Sequence, residues 1–382
     1  MSSRIPVVVS LLAKLVILAH ISQAAFAAHS QRRDWGKTAS GQAVQEHCLQ
    51  NDTHMRLCYI DYGAIITTIE VPDRDGKLAN IVLRLPDLPA YLTTRHRHAS
   101  IIGRYAGRIG KAEFALNGQT FHLPANEKGV ALHGDPQGFD KRVWSRQDFE
   151  ENDSLGSHFN LLSPDGDQGF PGEIQVTVTY RLYKARNEFN IEYRALSDKA
   201  TVINLTNHAY FNLAGAGSRG LSTHLFQIHA DRYTETDNKR IPTGRILPVD
   251  GSVLDLRKPT TITRHLEHGD TLLGQPTAYD HSLLFTNWDQ SLRAVARITE
   301  TVSGRQMHVY TTEPSVQFNS GNGFDGSEAS AYQRHDGFAF ETQHLPDSPN
   351  HANFPATVLN PGQVFNSVTS FCFSVTPLPK SD

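Results

Sequence analysis

Apolar and polar residues alternate along most of this chain, which is the pattern of β-strands with one buried face. The clearest case is residues 173–195, where a polar turn at residues 184–187 separates two alternating segments. Because successive side chains of a strand point to opposite faces, the two segments predict an antiparallel hairpin with one apolar face. The alternating apolar residues are Ile174, Val176, Val178, Tyr180 and Leu182, followed by Phe189, Ile191, Tyr193 and Ala195.

Shorter runs of the same kind follow one another from residue 45 onward, separated by Gly, Pro, Asn and Asp. This spacing is typical of strands joined by turns, and few segments have the period of a helix. We therefore predict an all-β protein, a large antiparallel β-sandwich with few short helices, formed by residues 28–382 as a single domain. The other predicted strands cover residues 55–62, 64–71, 79–85, 221–231, 280–286, 294–300, 306–312, 315–318, 338–343 and 368–377.

The stretch at residues 203–215 combines an apolar face with a row of hydrogen-bonding groups. With strand periodicity, its amide, hydroxyl and imidazole groups share one face, and His208 is the only residue of that row that titrates near neutral pH. Such a face suits a polar, uncharged ligand such as a sugar. The residues of the polar face are Asn204, Thr206, His208, Tyr210 and Asn212.

The charge balance narrows the choice of partners. The 382 residues include 36 Lys and Arg against 39 Asp and Glu, for a formal net charge of −3. This balance gives no indication of a basic surface that would bind nucleic acid or an anionic membrane. We expect a small, neutral partner instead.

Residues 1–27 have the composition of an export signal. Arg4 and Lys14 are their only charges, the segment is otherwise largely apolar, and residues 25–27 read Ala-Phe-Ala, an A-x-A cleavage pattern. An uncleaved membrane anchor is the weaker alternative, because Lys14 interrupts a run that is already short for a bilayer span. We expect a protein that is periplasmic or secreted and that leaves the membrane once the signal is removed.

Three cysteines exclude a disulfide scaffold but allow one bridge. Cys48 and Cys58 flank a turn signal at residues 51–53, so a hairpin there sets them roughly opposite each other. Two unpaired buried thiols are an equally good interpretation. Cys372, in an apolar run, is predicted to be a core residue.

His208 and Glu341 are the strongest candidates for chemistry. Glu341 lies among aromatic residues, where a carboxylate is either paired or functional, since burying it unpaired is costly. Taken singly, each has a plain structural interpretation: a histidine hydrogen-bonded within the sheet and a salt bridge at a sheet edge. Together they can act as an acid and a base, and we expect each charge to stabilise the other, raising the pKa of His208 and lowering that of Glu341.

Other polar motifs are weaker signals. Arg104 and Arg108 lie in a glycine-containing segment at residues 103–109, which suits presentation of a guanidinium to hydroxyl groups. The histidine pairs at residues 96 and 98 and at residues 265 and 268 are interpreted as surface residues, because no third ligand follows at metal-site spacing. Phosphate-loop and serine-hydrolase motifs are absent from the sequence.

Eight motifs in fixed order resemble those of the aldose 1-epimerase (galactose mutarotase) family, over nearly the whole chain after the signal. They are G-R-Y-A-G-R-I at 103–109, L-H-G-D-P-Q-G-F-D-K-R-V-W at 132–144, D-G-D-Q-G-F-P-G at 165–172, N-L-T-N-H-A-Y-F-N-L-A-G at 204–215, L-D-L-R-K-P at 254–259, Y-D-H at 279–281, V-Q-F at 316–318 and E-T-Q-H-L-P-D-S-P-N at 341–350.

The resemblance implies a galactose-mutarotase-like supersandwich that acts on free hexoses such as glucose and galactose without a cofactor or metal, as a monomer or homodimer. By motif position, His208 resembles the family's general acid and Glu341 its general base. The resemblance assigns the holding of sugar hydroxyls to Arg108, His133, Asp255 and Gln317.

Several positions depart from the commoner family pattern and bear on sugar preference. Gly107 stands where many members carry Asn, residues 129–131 replace an Asn-containing approach to the Leu-His-Gly motif, and Asp135 replaces a frequent Gly. Two other functions stay open: a non-catalytic sugar-binding module, which needs no acid and base, and an epimerase for phosphorylated hexoses. The second requires an added basic cluster and fits an exported protein poorly.

Overall fold

The computed structural model describes residues 29–126, 128–274, 277–327 and 330–376. The predicted export signal, residues 1–27, lies outside them. None of the helices in the described part of the chain is long and apolar enough to cross a bilayer.

Strands account for most of the regular structure, as the alternating pattern predicts, and the helices are short. In the described part of the chain, α1 covers Leu88–Thr93 and α2 covers Thr263–His268, and 3₁₀ turns cover Gly110–Ala112, Phe139–Lys141, Asp167–Gly169 and Ser348–Asn350. The strands are β1 (Ser30–Lys37), β2 (Ala43–Gln50), β3 (Arg56–Ile60), β4 (Ile66–Pro72), β5 (Leu78–Asn80), β6 (Ile101–Ile102), β7 (Arg108–Ile109), β8 (Glu113–Leu116), β9 (Gln119–His122), β10 (Ala131–Leu132), β11 (Ser145–Glu150), β12 (Ser154–Ser163), β13 (Ile174–Tyr183), β14 (Glu188–Ser197), β15 (Thr201–Val202), β16 (Thr206–Asn207), β17 (Tyr210–Phe211), β18 (His224–Ile228), β19 (Ala230–Thr236), β20 (Pro242–Pro248), β21 (Asp280–Phe285), β22 (Arg293–Glu300), β23 (Arg305–Thr311), β24 (Ser315–Asn319), β25 (Phe338–Gln343), β26 (Val358–Leu359) and β27 (Phe365–Val375).

Three large antiparallel sheets organise the fold. A five-stranded sheet follows chain order from β1 to β5. An eight-stranded sheet has the order β11-β12-β13-β14-β27-β23-β22-β18, and a six-stranded sheet has the order β17-β25-β24-β21-β19-β20. Four two-stranded pairs complete the described pairing: β6 with β16, β7 with β10, β8 with β9, and β15 with β26.

The predicted hairpin at residues 173–195 is confirmed as β13 and β14. Tyr180 pairs with Ile191 in its register, and the apolar residues that alternate along β13 are all buried. Burial of each such large apolar side chain stabilises the fold by about 1.5–3 kcal/mol. The hairpin lies within the eight-stranded sheet because β13 also pairs with β12 and β14 also pairs with β27.

The main core lies between the eight-stranded sheet and the other two large sheets, which makes the protein a β-sandwich. Leu57 of the five-stranded sheet, Val178 of the eight-stranded sheet and Phe318 of the six-stranded sheet belong to one buried apolar cluster. Phe226 contacts Phe318 across the layers, with ring centroids 5.3 Å apart. The predicted all-β sandwich with few short helices is confirmed.

The stretch at residues 203–215 departs from the single continuous strand that its alternation predicts. It contains only the short strands β16 and β17, and nearly all of its residues are buried whichever way they point. The side-chain amide of Asn204 donates to the carbonyls of Ala106 and His344, and the Thr206 hydroxyl donates to the Thr342 carbonyl. These polar side chains hold neighbouring backbone in place, and His208 lies in the short segment between the two strands.

Cys48 and Cys58 face each other across the β2–β3 pair and are joined by a disulfide bond. The predicted hairpin around residues 51–53 is therefore confirmed. Of the two interpretations of these cysteines, a bridge or two unpaired thiols, the structure has the bridge. Cys372 lies in β27 with its side chain half-buried.

Candidate active site

Three adjacent strands of the six-stranded sheet supply the acidic and amide groups of the site. Gln317 of β24 is the direct cross-strand partner of Glu341 on β25 and of Ser282 on β21. The Ser282 hydroxyl donates to the Gln317 carbonyl oxygen at 2.5 Å, so the Gln317 amide nitrogen points the other way and donates to Asp280 at 2.7 Å. The sheet therefore fixes Asp280, Gln317 and Glu341 side by side.

His208 reaches the same place from the bend between β16 and β17. Its backbone is held on both sides, because its N–H donates to the Ser100 carbonyl and its carbonyl accepts from the Ala99 N–H. The imidazole Nε2 lies 3.5 Å from Oε1 of Glu341, and both side chains are buried. The structure thus brings together the two residues that the sequence nominates as acid and base.

His133 and Arg108 come from the small β7–β10 pair. The Gly107 N–H donates to Nδ1 of His133 at 3.1 Å, and since a backbone N–H can only donate, the imidazole proton is on Nε2. Gly107 has a φ of 84°, a left-handed conformation that Gly and Asn adopt most readily, which explains why both residue types suit this position. Arg108 is partly exposed and lies 3.5 Å from Asp280.

These residues line one cleft of about 300 Å³ whose walls are mostly polar. Tyr210 forms part of a wall and packs its ring against His208, with centroids 4.9 Å apart. One carboxylate oxygen of Glu341, Oε2, is buried and has no hydrogen-bond partner in the described part of the chain. An unpartnered buried oxygen is costly, so it is an acceptor available to a hydroxyl group that enters the cleft. The remaining described lining comprises Arg95, His96, Arg97, Arg240, Asn319, Asn322 and Gly323.

Burial controls the protonation of the central pair, and the expectation that each charge stabilises the other is wrong. Burial, aided by the nearby charge of Arg97, lowers the pKa of His208 to about 3. Burial and the negative charge of Asp280 raise the pKa of Glu341 to about 8. The loss of hydration outweighs the attraction between the two groups, so both are mainly neutral at pH 7 and the pair holds one proton, on Glu341.

Asp280 stays ionised beside them. Burial alone would raise its pKa, but Arg108, Arg240 and the hydrogen bond from Gln317 lower it to about 2. Arg240 lies 3.1 Å from the same carboxylate oxygen that Arg108 approaches. The cleft therefore contains one permanent negative charge held between two guanidinium groups.

The site also offers a set of potential metal ligands. One ligand atom each from His133, His208 and Glu341 lies within 4.8 Å of the others. Two imidazoles and a carboxylate suit divalent transition metals, but the Gly107 N–H keeps the His133 proton on Nε2, so this imidazole has no free lone pair for a cation. A bound cation would occupy the lone pairs that proton transfer needs, so metal binding here would compete with acid–base chemistry.

Asp255 does not join the other predicted sugar-holding residues, and its assignment to the cleft is wrong. It lies in the loop after β20, and both of its carboxylate oxygens accept from the guanidinium of Arg257, at 2.8 and 2.6 Å. It is not among the described residues that line the cleft. Asp280 supplies the carboxylate there instead. The predicted Arg108, His133 and Gln317 all line the cleft, whereas Arg104 is buried elsewhere and donates to backbone carbonyls such as that of Pro171.

Sequence reasoning did not assign Asp280, Arg97 or Arg240 to the site. Asp280 had a usable signal, because it opens a predicted strand within the Y-D-H motif. The two arginines lie in polar loops without periodicity, so nothing local indicates that they meet the cleft. Interpreting His96 and His98 as surface residues is also wrong: His96 lines the cleft, and His98 is 1% exposed behind it, stacked on Phe324.

Antiparallel sheets packed as a supersandwich, with a buried histidine and carboxylate in a polar cleft, define a galactose-mutarotase-like protein. A family model described as Aldose 1-epimerase matches residues 45–372. Galactose mutarotase of Rattus norvegicus is 40% identical over 345 residues, which cover 88% of this chain and 96% of the relative. Aldose 1-epimerase of Escherichia coli (strain K12) is 35% identical over 338 residues, 87% of this chain and 96% of the relative.

A solved structure of galactose 1-epimerase from Lactobacillus acidophilus NCFM agrees in fold, with a TM-score of 0.81 and 25% identity. The likeness covers 91% of this chain and 98% of that chain. This chain belongs to the aldose 1-epimerase family.

Proposed function

We propose that this protein is an aldose 1-epimerase that interconverts the α and β anomers of free aldoses such as glucose and galactose. The observation that carries the proposal is the buried pair of His208 and Glu341, whose Nε2 and Oε1 atoms lie 3.5 Å apart in a polar cleft. The two oxygens of a hemiacetal are bonded to the same carbon, so two groups a few ångströms apart can serve both of them.

Opening a cyclic hemiacetal needs one proton removed and one delivered. Glu341 takes the proton of the C1 hydroxyl while His208 protonates the ring oxygen, the bond between C1 and the ring oxygen breaks, and the aldehyde forms. Rotation about the C1–C2 bond presents the other face of the aldehyde. Ring closure then runs the proton transfers backwards, so no proton is gained or lost over the cycle.

Binding of the sugar helps to place the protons. The carboxylate form of Glu341 is favoured when hydroxyl groups donate to it, and Oε2 is available for such a bond. His133 can donate through Nε2, and Gln317 and Arg108 offer further donors beside Asp280, which can accept from hydroxyl groups. We assign these four residues to holding the hydroxyls around the ring.

Polarimetry on freshly dissolved α-glucose and α-galactose tests the proposal. The purified protein should accelerate the approach to anomeric equilibrium, and Glu341→Gln and His208→Asn should each reduce kcat/KM by about 10²- to 10⁴-fold. His229→Asn and Glu267→Gln are matched controls, because both residues are exposed and lie outside the cleft lining. No acceleration over buffer would reject the function, and a variant that turns over like the parent would reject that residue's role.

A sugar-binding module on the same fold is the competing function. Calorimetric binding of glucose or galactose without any acceleration of mutarotation would favour it. The paired acid and base argue for catalysis, because binding alone does not need two buried titratable groups within reach of each other.

We also propose that residues 1–27 direct export to a periplasmic or secreted location and that residues 28–382 form one domain. The disulfide between Cys48 and Cys58 supports an oxidising compartment. The single-domain proposal is supported by β27, which lies near the end of the chain yet pairs with β14 and β23 in the middle of the eight-stranded sheet. Amino-terminal sequencing of the exported protein tests the first proposal.

A further inference from the structure

A second cavity, of about 540 Å³, adjoins the catalytic cleft and is lined by positive charge. Its described lining includes five cationic side chains and no carboxylate. This composition is unlike that of the whole chain, in which acidic residues slightly outnumber basic ones. The cations are Arg95, Arg108, Lys128, Lys239 and Arg240.

The two cavities share a wall. Arg95, Arg108 and Arg240 line both of them, so the basic cavity lies directly beside the cleft that contains His208 and Glu341. Arg108 and Arg240 lie on either side of the single carboxylate of Asp280, which leaves their combined charge only partly balanced.

Backbone contacts bring the more distant cations together. The Lys239 ammonium donates to the carbonyl of Lys128 at 3.1 Å, which links the loop before β10 to the loop before β20. The nearest acidic residue of the second loop, Asp237, accepts from the backbone N–H groups of Lys239 and Ile241. It lines a neighbouring cavity, which Lys239 also lines. The basic cavity is therefore a place where like charges converge, and an anion that enters it relieves their repulsion.

We propose that the basic cavity binds an anionic group carried by the substrate, so that the enzyme acts preferentially on aldoses with a carboxylate or phosphate at the end remote from C1. Hexuronic acids and aldose 6-phosphates share this chemistry. The inference rests on the proposed epimerase function and adds the substrate class. Arginine and lysine side chains suit both anions, since guanidinium groups bind carboxylate or phosphate through paired hydrogen bonds and ammonium groups act as point charges.

Exchange NMR between α and β anomeric protons at equilibrium measures the reaction for neutral and anionic sugars in the same way. The full mature chain is compared on glucose, glucuronic acid, galactose, galacturonic acid and glucose 6-phosphate. At low ionic strength we expect kcat/KM to be about tenfold higher for an anionic sugar than for its neutral counterpart, and this advantage should shrink as added salt screens the cavity.

Lys128→Gln/Lys239→Gln is the informative variant, because both residues line the basic cavity and neither lines the catalytic cleft. Its kcat/KM should fall about tenfold on anionic sugars and by less than about twofold on glucose. Lys37→Gln/Lys258→Gln is the matched control, which removes the same charge from exposed positions outside either cavity.

The outcomes separate this inference from the function on which it depends. Acceleration of glucose exchange without any advantage for the anionic sugars would overturn the inference and leave the epimerase intact. An equal loss in the two double variants would also overturn it. An advantage confined to uronic acids, or to the phosphate ester, supports it and identifies the anion. If no sugar is accelerated, the epimerase function itself is refuted.

Discussion

The protonation of the central pair predicts the pH dependence of catalysis. Between pH values of about 3 and about 8 the pair of His208 and Glu341 holds one titratable proton, because burial lowers the pKa of the histidine and raises that of the carboxyl. The catalytic form, with a protonated histidine and an ionised carboxylate, contains the same number of protons. The populations of the neutral and charged forms therefore change with pH in the same way. The ratio of the two forms does not depend on pH and is set by the environment of the pair.

The same environment makes the charged form the minor one. Burial disfavours both ions, and the attraction between opposite charges 3.5 Å apart offsets only part of that cost. Hydroxyl groups that donate to Oε2 of Glu341 are expected to stabilise the charged form, so sugars that lack the relevant hydroxyl should lose kcat as well as affinity.

The assay is initial-rate polarimetry over pH 5 to 9.5, corrected for the spontaneous reaction in each buffer. We expect kcat/KM to be level at neutral pH and to fall about tenfold per pH unit above about 8, because loss of the single proton leaves His208 nothing to donate. If His208 were not the acid and ionised Glu341 alone limited the rate, kcat/KM would instead rise towards pH 8 and level off. That rising profile would refute the one-proton account.

The remaining predictions concern stability and the surroundings of the pair. Glu341→Gln should lose most activity, yet its free energy of unfolding at pH 7 should be higher by about 3 kcal/mol. Folding raises the pKa of the Glu341 carboxyl from 4.5 to about 8, so the parent protein loses stability as the pH rises through that range. The amide does not ionise and therefore avoids this loss. Denaturant titration at pH 5 and pH 8 should show the gain growing with pH, whereas a pH-independent gain would contradict this cause. Asp280→Asn should lower kcat/KM and move the alkaline fall to lower pH, because a negative charge that raises the pKa of Glu341 is removed; an unmoved profile would exclude that coupling. Replacing both Cys48 and Cys58 by Ser should lower the free energy of unfolding by about 3 kcal/mol, as expected for a cross-link between residues 10 positions apart, while Cys372→Ser should change it little, and equal effects would reject the bridge as the cause.

The long alternating segments could be predicted from the sequence because their pattern is local. Residues 338–343 form β25 at the predicted bounds, and the hairpin at residues 173–195 forms β13 and β14. Short pairs such as β8 with β9 were missed, since four residues of mixed polarity give no usable period. The stretch at residues 203–215 differs from its prediction for another reason, because its amide and hydroxyl groups donate to buried backbone carbonyls of other segments.

Most residues of the candidate site could also be predicted from their positions in the family motifs, except that Asp280 takes the place expected for Asp255. Asp255 and Asp280 both lie in motifs of the family, and nothing in the chain itself says which carboxylate faces the cleft. The structure decides it, because Arg257 pairs with Asp255 in a loop while β21 places Asp280 beside Gln317. Sequence distance is no guide to such proximity once strands from separate parts of the chain pair.

By itself the sequence determined the class of fold and the kind of chemistry. The fold class follows from the alternation of apolar and polar residues within each segment, and the chemistry follows from the residue types. Only the tertiary structure decided where the protons sit and what charge surrounds them. The pKa values of His208 and Glu341 depend on burial by the packed sheets, and the basic cavity exists because separate loops bring Lys128 and Lys239 to Arg108. Desolvation and long-range charge are properties of positions in space, which no local pattern contains.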